Sequence, residues 1–414
     1  MPRYIIVGCG PAGSAAAEAI RQADAAVEIL LLSHEGVRAL ARPRLVEYAA
    51  GAIDLKELET KDDQWAGQFN LQVRLSTVVE RLDAAARRLY LKGGEALAYD
   101  KLLAATGIGP RAIPFEGAEL AGVFNMHHQP EADRVRAAVA RAEQVVVVGG
   151  GFLGQDMTKA LAAAGRRVTL LVREDRVGVP QFDPGSSAML LEELRALGAD
   201  VRLQTELARI GGAGGQVVRA VTNRGDALPC QVVFVAIGAQ PNAAWLKDSG
   251  TEVARGLVTD GRLATRVPGI FAAGSIAEVR VNNRVLLQAS WVNATAQGRA
   301  AGVNLAGGEE TYFAPSEYTA KVGRRLFSVY GPPATAFPKA RYVGFRASDG
   351  GYGCLVAEGG LVRGAILVSR HPKAKEIKAL QFRDEPLPGL AELEGEQNLG
   401  IDEFVAQALG PAAA

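Results

Sequence analysis

One local pattern occurs twice in this 414-residue chain and constrains its fold more than any other feature. Near the N-terminus the apolar run RYIIV leads into the turn GCGPAG and an alanine-rich segment, and residues 144–165 repeat this plan. In a GxGxxG turn the first glycine permits the tight turn, the second lets the backbone approach a pyrophosphate, and the third lets helix and strand pack closely. The repeat therefore predicts two dinucleotide-binding units, each holding its anion at a helix N-terminus. The glycines concerned are Gly8, Gly10, Gly13, Gly149, Gly151 and Gly154.

Strand-like and helix-like segments alternate in both units. Continuous runs of Val, Ile and Leu between amphipathic helices are typical of parallel strands that are buried on both faces. Each unit also has a late strand that ends in glycine, at residues 101–107 and 232–238, and an antiparallel excursion, at residues 69–99 and 200–230.

These patterns predict the α/β class, with two Rossmann-like (three-layer ββα) dinucleotide-binding domains and a small α+β C-terminal domain. A shift in composition near GGEETYFAPSEY opens the third region, which contains short strands and a final helix. The predicted boundaries are residues 1–112 with 245–308 for a discontinuous first domain, 113–244 for the second and 309–414 for the third.

Composition and charge exclude several classes of function. The net charge of +1 gives no reason to expect nucleic acid or an anionic membrane as a partner. No signal peptide or membrane-spanning run is evident, which predicts a cytoplasmic location. The three cysteines are far apart, so we expect neither a disulfide scaffold nor an internal cluster or zinc framework. The adjacent His127 and His128 are predicted to lie on a solvated strand or loop, and no metal site is predicted.

The acid that binds a ribose is expected about 20 residues past each glycine loop. After the first loop, Ser33 stands at the strand end and Glu35 two residues later, and Glu35 is the better candidate. After the second loop, Arg173 stands where an acid would select NAD, and it could instead accept the 2′-phosphate of NADP. Glu174 beside it would repel that phosphate, so the choice stays open with a slight preference for NAD.

Several segments, in order and spacing, resemble the pyridine nucleotide–disulfide oxidoreductase superfamily. They are VGCGPAG, LLAATG, VVVVGGGFLG, VVFVAIGAQPN and TRVPGIFAAGS. ARPRLVEYAAGAI and SWVNATAQGRAAGVNLAG are similar to the branch that contains rubredoxin reductase, ferredoxin reductases and the FAD-binding half of assimilatory nitrite reductase. The resemblance implies FAD on the first loop, NAD(P)H on the second, and hydride transfer between nicotinamide C4 and flavin N5.

The resemblance also implies roles for individual residues. Gly274 and Ser275 would lie at the ribityl chain and pyrophosphate, and Trp291, Ala294 and Gln297 near the flavin ring. The residues predicted at FAD are Gly8, Gly10, Pro11, Ala12, Gly13, Ser33, Glu35, Arg42, Pro43, Ala105, Thr106, Gly107, Gly274, Ser275, Trp291, Ala294 and Gln297. Those predicted at the nicotinamide nucleotide are Gly149, Gly151, Phe152, Leu153, Gly154, Arg173, Glu174 and Gly238. Phe152 matches an aromatic that covers the flavin until nicotinamide displaces it, although a core aromatic is the alternative.

The chain departs from the superfamily pattern at several positions. No reactive cysteine stands in ALARPRLVEYA, and Cys9 lies inside the phosphate loop, where we expect it to be inert, so a thiol relay is excluded. Ser275 replaces the usual Asp. Glu47 stands where a lysine is common and would face Asp156. If the two acids face each other, the pKa of one of them would be raised, or the pair would hold an ion or water; alternatively, both are solvated. Glu47, Asp156 and Phe152 are the predicted catalytic residues.

Flavin accepts a hydride and passes electrons on singly, so its natural output is a one-electron carrier. We predict an FAD-dependent NAD(P)H:acceptor oxidoreductase serving an iron–sulfur protein, a rubredoxin or ferredoxin, or a metal enzyme of which it is the flavin subunit. One alternative is a stand-alone NAD(P)H oxidase that reduces O2. Another is a flavin-holding interaction protein without turnover, which Ser275 and Glu47 alone favour. A hetero-oligomer and a homodimer are both left open.

Overall fold

The repeated pattern of the sequence forms two similar parallel sheets. The computed structural model describes residues 1–281, 284–314, 316–346, 351–371, 373–397 and 399–409. The strands and helices up to residue 112 are β1 (Arg3–Val7), α1 (Pro11–Ala23), β2 (Glu28–Leu32), α2 (Leu45–Ala49), α3 (Asp63–Gln68), β3 (Gln72–Arg74), β4 (Val79–Asp83), β5 (Arg88–Leu91), β6 (Ala96–Ala98), β7 (Lys101–Ala104) and β8 (Ile108–Pro110).

The second repeat and its flanking segments follow. They are β9 (Val123–Phe124), α4 (Gln129–Val139), β10 (Gln144–Val148), α5 (Phe152–Ala163), β11 (Arg167–Leu171), α6 (Pro184–Ala196), β12 (Asp200–Arg202), β13 (Leu207–Ala213), β14 (Gln216–Thr222), β15 (Ala227–Pro229), β16 (Val232–Val235) and β17 (Ala239–Pro241).

The remaining elements lead into the C-terminal region. They are β18 (Leu257–Thr259), β19 (Ile270–Ala272), β20 (Ala277–Val281), β21 (Arg284–Leu287), α7 (Trp291–Leu305), β22 (Glu317–Val322), β23 (Arg325–Tyr330), β24 (Arg341–Arg346), β25 (Tyr352–Glu358), β26 (Leu361–Val368), α8 (Ala374–Ala379), β27 (Gly395–Gln397) and α9 (Ile401–Leu409). None of the described helices is long and apolar enough to cross a membrane.

The first sheet has the order β19-β7-β1-β2-β3, and all its strands are parallel. Ile5 and Ile6 on β1 are both fully buried, as are their counterparts along β7. The prediction of parallel strands buried on both faces is therefore confirmed. Because β19 comes from residues 270–272 and pairs with β7, the chain returns to its first sheet after the second repeat.

The second sheet has the order β12-β11-β10-β16-β9 and is also parallel. The two predicted antiparallel excursions are confirmed as the sheets β4-β5-β6 and β13-β14-β15. The hairpin between β13 and β14 turns at Gly214 and Gly215, whose φ values of +57° and +78° suit glycine. The two repeats thus share one architecture down to their side excursions.

The C-terminal region forms a six-stranded sheet of order β22-β23-β26-β25-β24-β27. One face packs with Ile377 of α8 and Val405 of α9, and the other shares a core with the second repeat, where Phe327 meets Phe182. The α/β class with a C-terminal α+β region is therefore confirmed. The exact residues that divide the domains stay a prediction.

Small residues let α7 pack against α1, beside the first glycine loop. A Cβ added at Gly298 would lie 2.1 Å from the Ala12 carbonyl oxygen, and one at Gly302 would lie 2.5 Å from that of Ala16. These approaches require glycine on α7. They place the middle of α7 (Trp291–Leu305) against the start of α1.

Candidate functional site

The first glycine loop leaves a space that the protein itself does not use. Gly8 has φ +114°, and a Cβ there would lie 2.2 Å from the Ala105 carbonyl oxygen; one at Gly13 would lie 1.9 Å from the Gly8 carbonyl oxygen. The turn and the packing of α1 on the sheet therefore require these two glycines. A Cβ at Gly10 would meet no atom of the described chain within 4 Å. No contact with the described chain therefore requires a glycine at this position, whereas the close approach of a pyrophosphate to the backbone would require one.

The second glycine loop has the same geometry. Gly149 has φ +113°, and a Cβ added there would lie 2.3 Å from the Ala236 carbonyl oxygen. A Cβ added at Gly154 would lie 1.9 Å from the Gly149 carbonyl oxygen. A Cβ at Gly151 would again meet no described atom within 4 Å. Both loops therefore fit the same kind of ligand at the same position.

The helices that follow the loops present free N–H groups to these spaces. Helix α1 has Gly10 as its N-cap and α5 has Gly151, and in the described chain neither N-cap contributes a side-chain hydrogen bond. By contrast, Asp183 caps α6 and Ser290 caps α7 with side-chain oxygens. Uncapped N–H groups and the positive end of the helix bind anions, so each loop can hold a phosphate group.

A third glycine turn completes the first site. Gly274 has φ +82°, and a Cβ there would lie 2.9 Å from that of Ala12, so the turn lies against the first loop. Its N–H donates to Gln297 Oε1 at 2.8 Å. Ser275, next to it, is half-buried, as is Trp291. Gly274 and Ser275 are therefore brought to the first loop, where the sequence predicted them.

Gln297 is bound by protein groups next to the first loop. Its side chain is fully buried, donates to Gln288 Oε1 at 2.9 Å and accepts from the Gly274 N–H at 2.8 Å. Its predicted place near the flavin ring stays a prediction. Its hydrogen-bonding groups are occupied by protein, so it orients the Gly274 turn from behind. Ala294 is also buried, at 5% exposure, and lies against the same turn.

The segment that follows β7 meets the segment that follows β17 at Thr106 and Asn242. The Thr106 hydroxyl donates to the Asn242 carbonyl oxygen at 2.8 Å, and the Asn242 amide donates back to the Thr106 carbonyl oxygen at 2.9 Å. Gly107 follows with φ +64°, and Gly238 has φ +107° and is exposed. This reciprocal pair links the chain segments that enter and leave the second repeat.

Glu35 and Arg42 form a buried ion pair beside the first site. The Glu35 side chain is 5% exposed, and Arg42 donates to both of its carboxylate oxygens. The backbone N–H of Gln129 donates to Glu35 Oε1 at 3.2 Å. Burial alone would raise the pKa of Glu35, but the charge and hydrogen bonds of Arg42 outweigh it and lower that pKa. Glu35 thus has a protein partner where the sequence predicted a ribose hydroxyl. Ser33 is buried too, and Pro43 is exposed.

His127 and His128 lie in a loop, as predicted, but they are half-buried where solvated side chains were predicted. Both backbone N–H groups donate to Glu131, and burial lowers the pKa of His127 to about 3 and that of His128 to about 4. The His128 ring lies edge-on to His34, with centroids 4.5 Å apart. Arg42, which donates to the His127 carbonyl oxygen at 2.8 Å, and His34 come from a distant part of the chain, so the sequence does not reveal these contacts.

His34, Glu35 and His128 form a group that the sequence analysis missed. One ligand atom from each lies within 4.8 Å of the others, a spacing that a metal ion could bridge. The guanidinium of Arg42 already occupies the Glu35 carboxylate, so any cation there would compete with it. Residues 34 and 128 are distant in sequence, and nothing in their local pattern brings them together.

Phe152 begins α5, directly after the second loop, and is covered by an unexpected partner. Tyr318 of β22 stacks on its ring with centroids 3.5 Å apart and planes 15° apart. Phe182 meets the same ring edge-on at 6.1 Å. Leu153 beside it is exposed. Phe152 is half-buried at the mouth of the second loop, which fits both of its predicted roles.

The acids Glu47 and Asp156 each have their own cation and are not paired with one another. Glu47 accepts from Arg44 at 3.1 Å, and both side chains are 42% exposed. Asp156 accepts from Lys159 at 2.9 Å and from the Tyr318 hydroxyl at 3.1 Å. Each acid thus pairs with a neighbouring cation, and the roles predicted for the two acids stay predictions.

At the end of β11, Arg173 donates to Glu174 at 2.9 Å. The arginine side chain is 71% exposed and that of Glu174 32% exposed. The Arg173 guanidinium, at the predicted ribose position, is thus paired with the Glu174 carboxylate, which offsets its charge. This arrangement weakens its attraction for an added phosphate.

Comparison with known proteins identifies the family. Residues 2–298 match the family described as pyridine nucleotide-disulphide oxidoreductase. The chain belongs to this family. It is 32% identical over 282 residues to the rubredoxin-NAD(+) reductase of Pseudomonas putida, covering 67% of this chain and 72% of that protein. It is 25% identical over 410 residues to the NADH-dependent phenylglyoxylate dehydrogenase subunit epsilon of Aromatoleum evansii, a match that covers 97% of this chain and 89% of that protein.

The same fold occurs in the putidaredoxin reductase chain of a covalent complex with putidaredoxin, with a TM-score of 0.88, 24% identity and 99% of each chain covered. Membership of the pyridine nucleotide-disulphide oxidoreductase family makes this chain an oxidoreductase with FAD as its cofactor and NAD(P)H as its substrate. The two loops that leave space at their second glycines fit those two dinucleotides.

The cysteines of this family member are unsuited to thiol chemistry. Cys9, Cys230 and Cys354 are all free and buried. Burial raises the pKa of Cys9 to about 11 and that of Cys230 to about 12, which suppresses the reactive thiolate. The expectation that Cys9 is inert is therefore supported, and electrons do not pass through a disulfide.

Proposed function

We propose that this chain is an FAD-containing reductase that carries electrons between a nicotinamide nucleotide and an iron–sulfur protein. One observation carries the proposal: two matching dinucleotide cradles occur in a chain whose three cysteines are buried. With a donor site, a cofactor site and no usable thiol, electrons must leave through a separate acceptor. The names of the rubredoxin and putidaredoxin reductases support an iron–sulfur acceptor.

The roles of the chain's own residues follow from the site. The first loop and the start of α1 would hold the FAD pyrophosphate, and the Gly274 turn, oriented by Gln297, would close over it. FAD supplies the chemistry, because it accepts a hydride and releases electrons one at a time. The second loop and the start of α5 would hold the nicotinamide nucleotide. Phe152, at that helix start, would exclude water until the nicotinamide arrives.

We further propose NAD(H) as the preferred nucleotide and the cytoplasm as the location. The ion pair between Arg173 and Glu174 supports NAD, since the carboxylate would repel a 2′-phosphate. Three free, buried thiols support a reducing compartment. Glu47, Asp156 and Phe152 stay the proposed catalytic residues.

An assay of transfer tests the reductase proposal. The FAD-loaded protein is mixed anaerobically with NADH and a rubredoxin or a [2Fe–2S] ferredoxin, and the iron–sulfur absorbance is followed. We expect bleaching only when protein and nucleotide are both present. If the flavin is reduced but electrons pass only to O2 after air is admitted, the chain is an oxidase. If the flavin is never reduced, the interaction-protein alternative is favoured.

A second candidate is the flavin subunit of a larger metal enzyme. The match over 97% of this chain to a dehydrogenase subunit favours it, because the C-terminal region is included. Purification of the tagged protein from its own cells separates the two candidates. A stoichiometric complex whose other subunits hold metal centres would support the subunit role, whereas a chain that elutes alone would support the reductase.

A further inference from the structure

The start of β22 lies between the two dinucleotide sites. The Glu317 N–H donates to Asn293 Oδ1 at 3.1 Å, and Asn293 is on the first turn of α7, two residues after Trp291. The next residue, Tyr318, contacts α5 at the second loop. Two consecutive residues of the C-terminal region thus contact the helix starts of both sites.

Tyr318 makes two different contacts with the first two turns of α5. Its ring covers that of Phe152 at 3.5 Å, and its hydroxyl donates to Asp156 Oδ2 at 3.1 Å. Burial, and then the charge of Asp156, raise the pKa of Tyr318, so the phenol stays protonated and remains a donor. Lys159 fixes the other oxygen of Asp156 at 2.9 Å, which orients the acceptor.

A second link holds β22 in this position. Lys159 also donates to the Lys321 carbonyl oxygen at 3.3 Å, three residues beyond Tyr318 on the same strand. The edge of Phe152 meets Phe182, which packs in turn against Phe327 of β23. The Phe152 ring is therefore held on one face and at one edge by fixed groups, and its rotation requires that the Tyr318 stack be broken.

We propose that Tyr318 is a positioning residue that controls access of the nicotinamide by holding Phe152. The inference rests on the proposed function, because it takes the second loop as the nucleotide site. A dinucleotide whose pyrophosphate lies at the start of α5 must pass its nicotinamide along Phe152, the first residue of that helix. The stack then competes with the nicotinamide for the Phe152 face.

Binding without turnover tests this competition. The oxidised, FAD-loaded protein is titrated by calorimetry with NAD⁺ or NADP⁺, whichever binds more tightly, and separately with ADP-ribose, which has no nicotinamide. Because an aromatic pair contributes modestly beyond its buried area, Tyr318→Leu should tighten nucleotide binding about two- to tenfold. The dissociation constant for ADP-ribose should stay unchanged. Tyr318→Phe keeps the stack and should give a smaller shift in the same direction.

A double-mutant cycle separates positioning from a general loss of packing. In a Phe152→Ala background, Tyr318→Leu should no longer change the ratio of the two dissociation constants, since the ring it holds is gone. Thr319→Ala is the matched control, because Thr319 is exposed on the same strand and contacts Ser328 at 3.1 Å instead of α5. FAD content checks that each variant is folded.

The outcomes distinguish the inference from the proposed function. The inference alone would be overturned if Tyr318→Leu left the ratio of the dissociation constants for the nicotinamide nucleotide and ADP-ribose unchanged. It would also be overturned if that ratio changed equally with and without Phe152. Wild-type protein that binds neither nucleotide, or whose flavin neither nucleotide reduces, would overturn the proposed function as well. A two- to tenfold shift that disappears in the Phe152→Ala background supports both.

Discussion

Replacing the second glycine of the first loop should separate FAD binding from folding. At Gly10 the φ of −72° and ψ of −171° suit alanine, and the new Cβ would meet no described atom within 4 Å. Gly10→Ala should therefore leave the free energy of unfolding of the FAD-free protein unchanged or raise it by up to about 1 kcal/mol. The methyl group would fill the space that we assign to the pyrophosphate.

The expected loss of FAD affinity follows from the hydrogen bonds at stake. A bond to a charged group contributes about 1.5–3 kcal/mol, so displacing the phosphate from one N–H should weaken binding about 10- to 100-fold. Flavin fluorescence during titration of the FAD-free protein measures the dissociation constant, and urea unfolding measures stability.

Gly13→Ala is the matched control in the same loop. Its Cβ would lie 1.9 Å from the Gly8 carbonyl oxygen, so α1 must move, and we expect a loss of about 1–3 kcal/mol or more in stability together with FAD. The reasoning is refuted if Gly10→Ala binds FAD as tightly as the wild type. It is equally refuted if Gly10→Ala loses as much stability as Gly13→Ala.

Three further predictions concern the second site and the histidines. Gly151→Ala should keep FAD but weaken nucleotide binding about 10- to 100-fold by calorimetry, since its Cβ also meets open space. Arg173→Glu should lower kcat/KM for NADPH relative to NADH about tenfold, and Glu174→Gln should raise it, in steady-state assays. As pH falls from 6.5 to 4.5, urea unfolding should show a loss of up to about 1.4 kcal/mol per pH unit for each of His127 and His128.

The sign of the pH effect follows from the lowered pKa values. With folded pKa values of about 3 and about 4, the folded histidines stay neutral in this range while those of the unfolded chain bind protons. Stability present above pH 6.5 is therefore lost as the pH falls. Replacing both histidines by Gln should flatten this slope, and an unchanged slope would contradict the assigned burial.

Each of the other two predictions has a clear contrary result. Loss of FAD along with nucleotide binding in Gly151→Ala would mean that the two loops do not act as separate sites. A nucleotide preference that neither Arg173→Glu nor Glu174→Gln moves would show that the 2′-position is read elsewhere. In both experiments the FAD absorbance of the purified variant serves as the control for folding.

The parallel sheets and both loops could be predicted because their signals are local. A buried parallel strand needs an unbroken apolar run, and the first and third glycines of each loop are required by contacts within a few residues or with the segment after one neighbouring strand. Gly8 and Gly149 have nearly the same φ, and a Cβ added at either would lie at nearly the same distance from a carbonyl oxygen, because the same turn occurs twice. The family resemblance was carried by these same segments.

The remaining features depend on packing between distant segments. Tyr318 covers Phe152 across 166 positions of sequence, which no periodicity records. Gln297 is hydrogen-bonded to the Gly274 turn and to Gln288, partners that the sequence does not reveal. His127 is covered in part by Arg42, which lies 85 positions earlier in the sequence. Polar side chains at a site can face the ligand or support its loops, and sequence alone does not distinguish these roles.

The central claim is that one chain holds both a flavin and the nucleotide that reduces it. Anaerobic stopped-flow mixing of the purified, FAD-loaded protein with NADH, and then with NADPH, tests this claim most directly through the flavin absorbance. The account predicts prompt bleaching, faster with NADH than with NADPH. Bound flavin that neither nucleotide bleaches would contradict it.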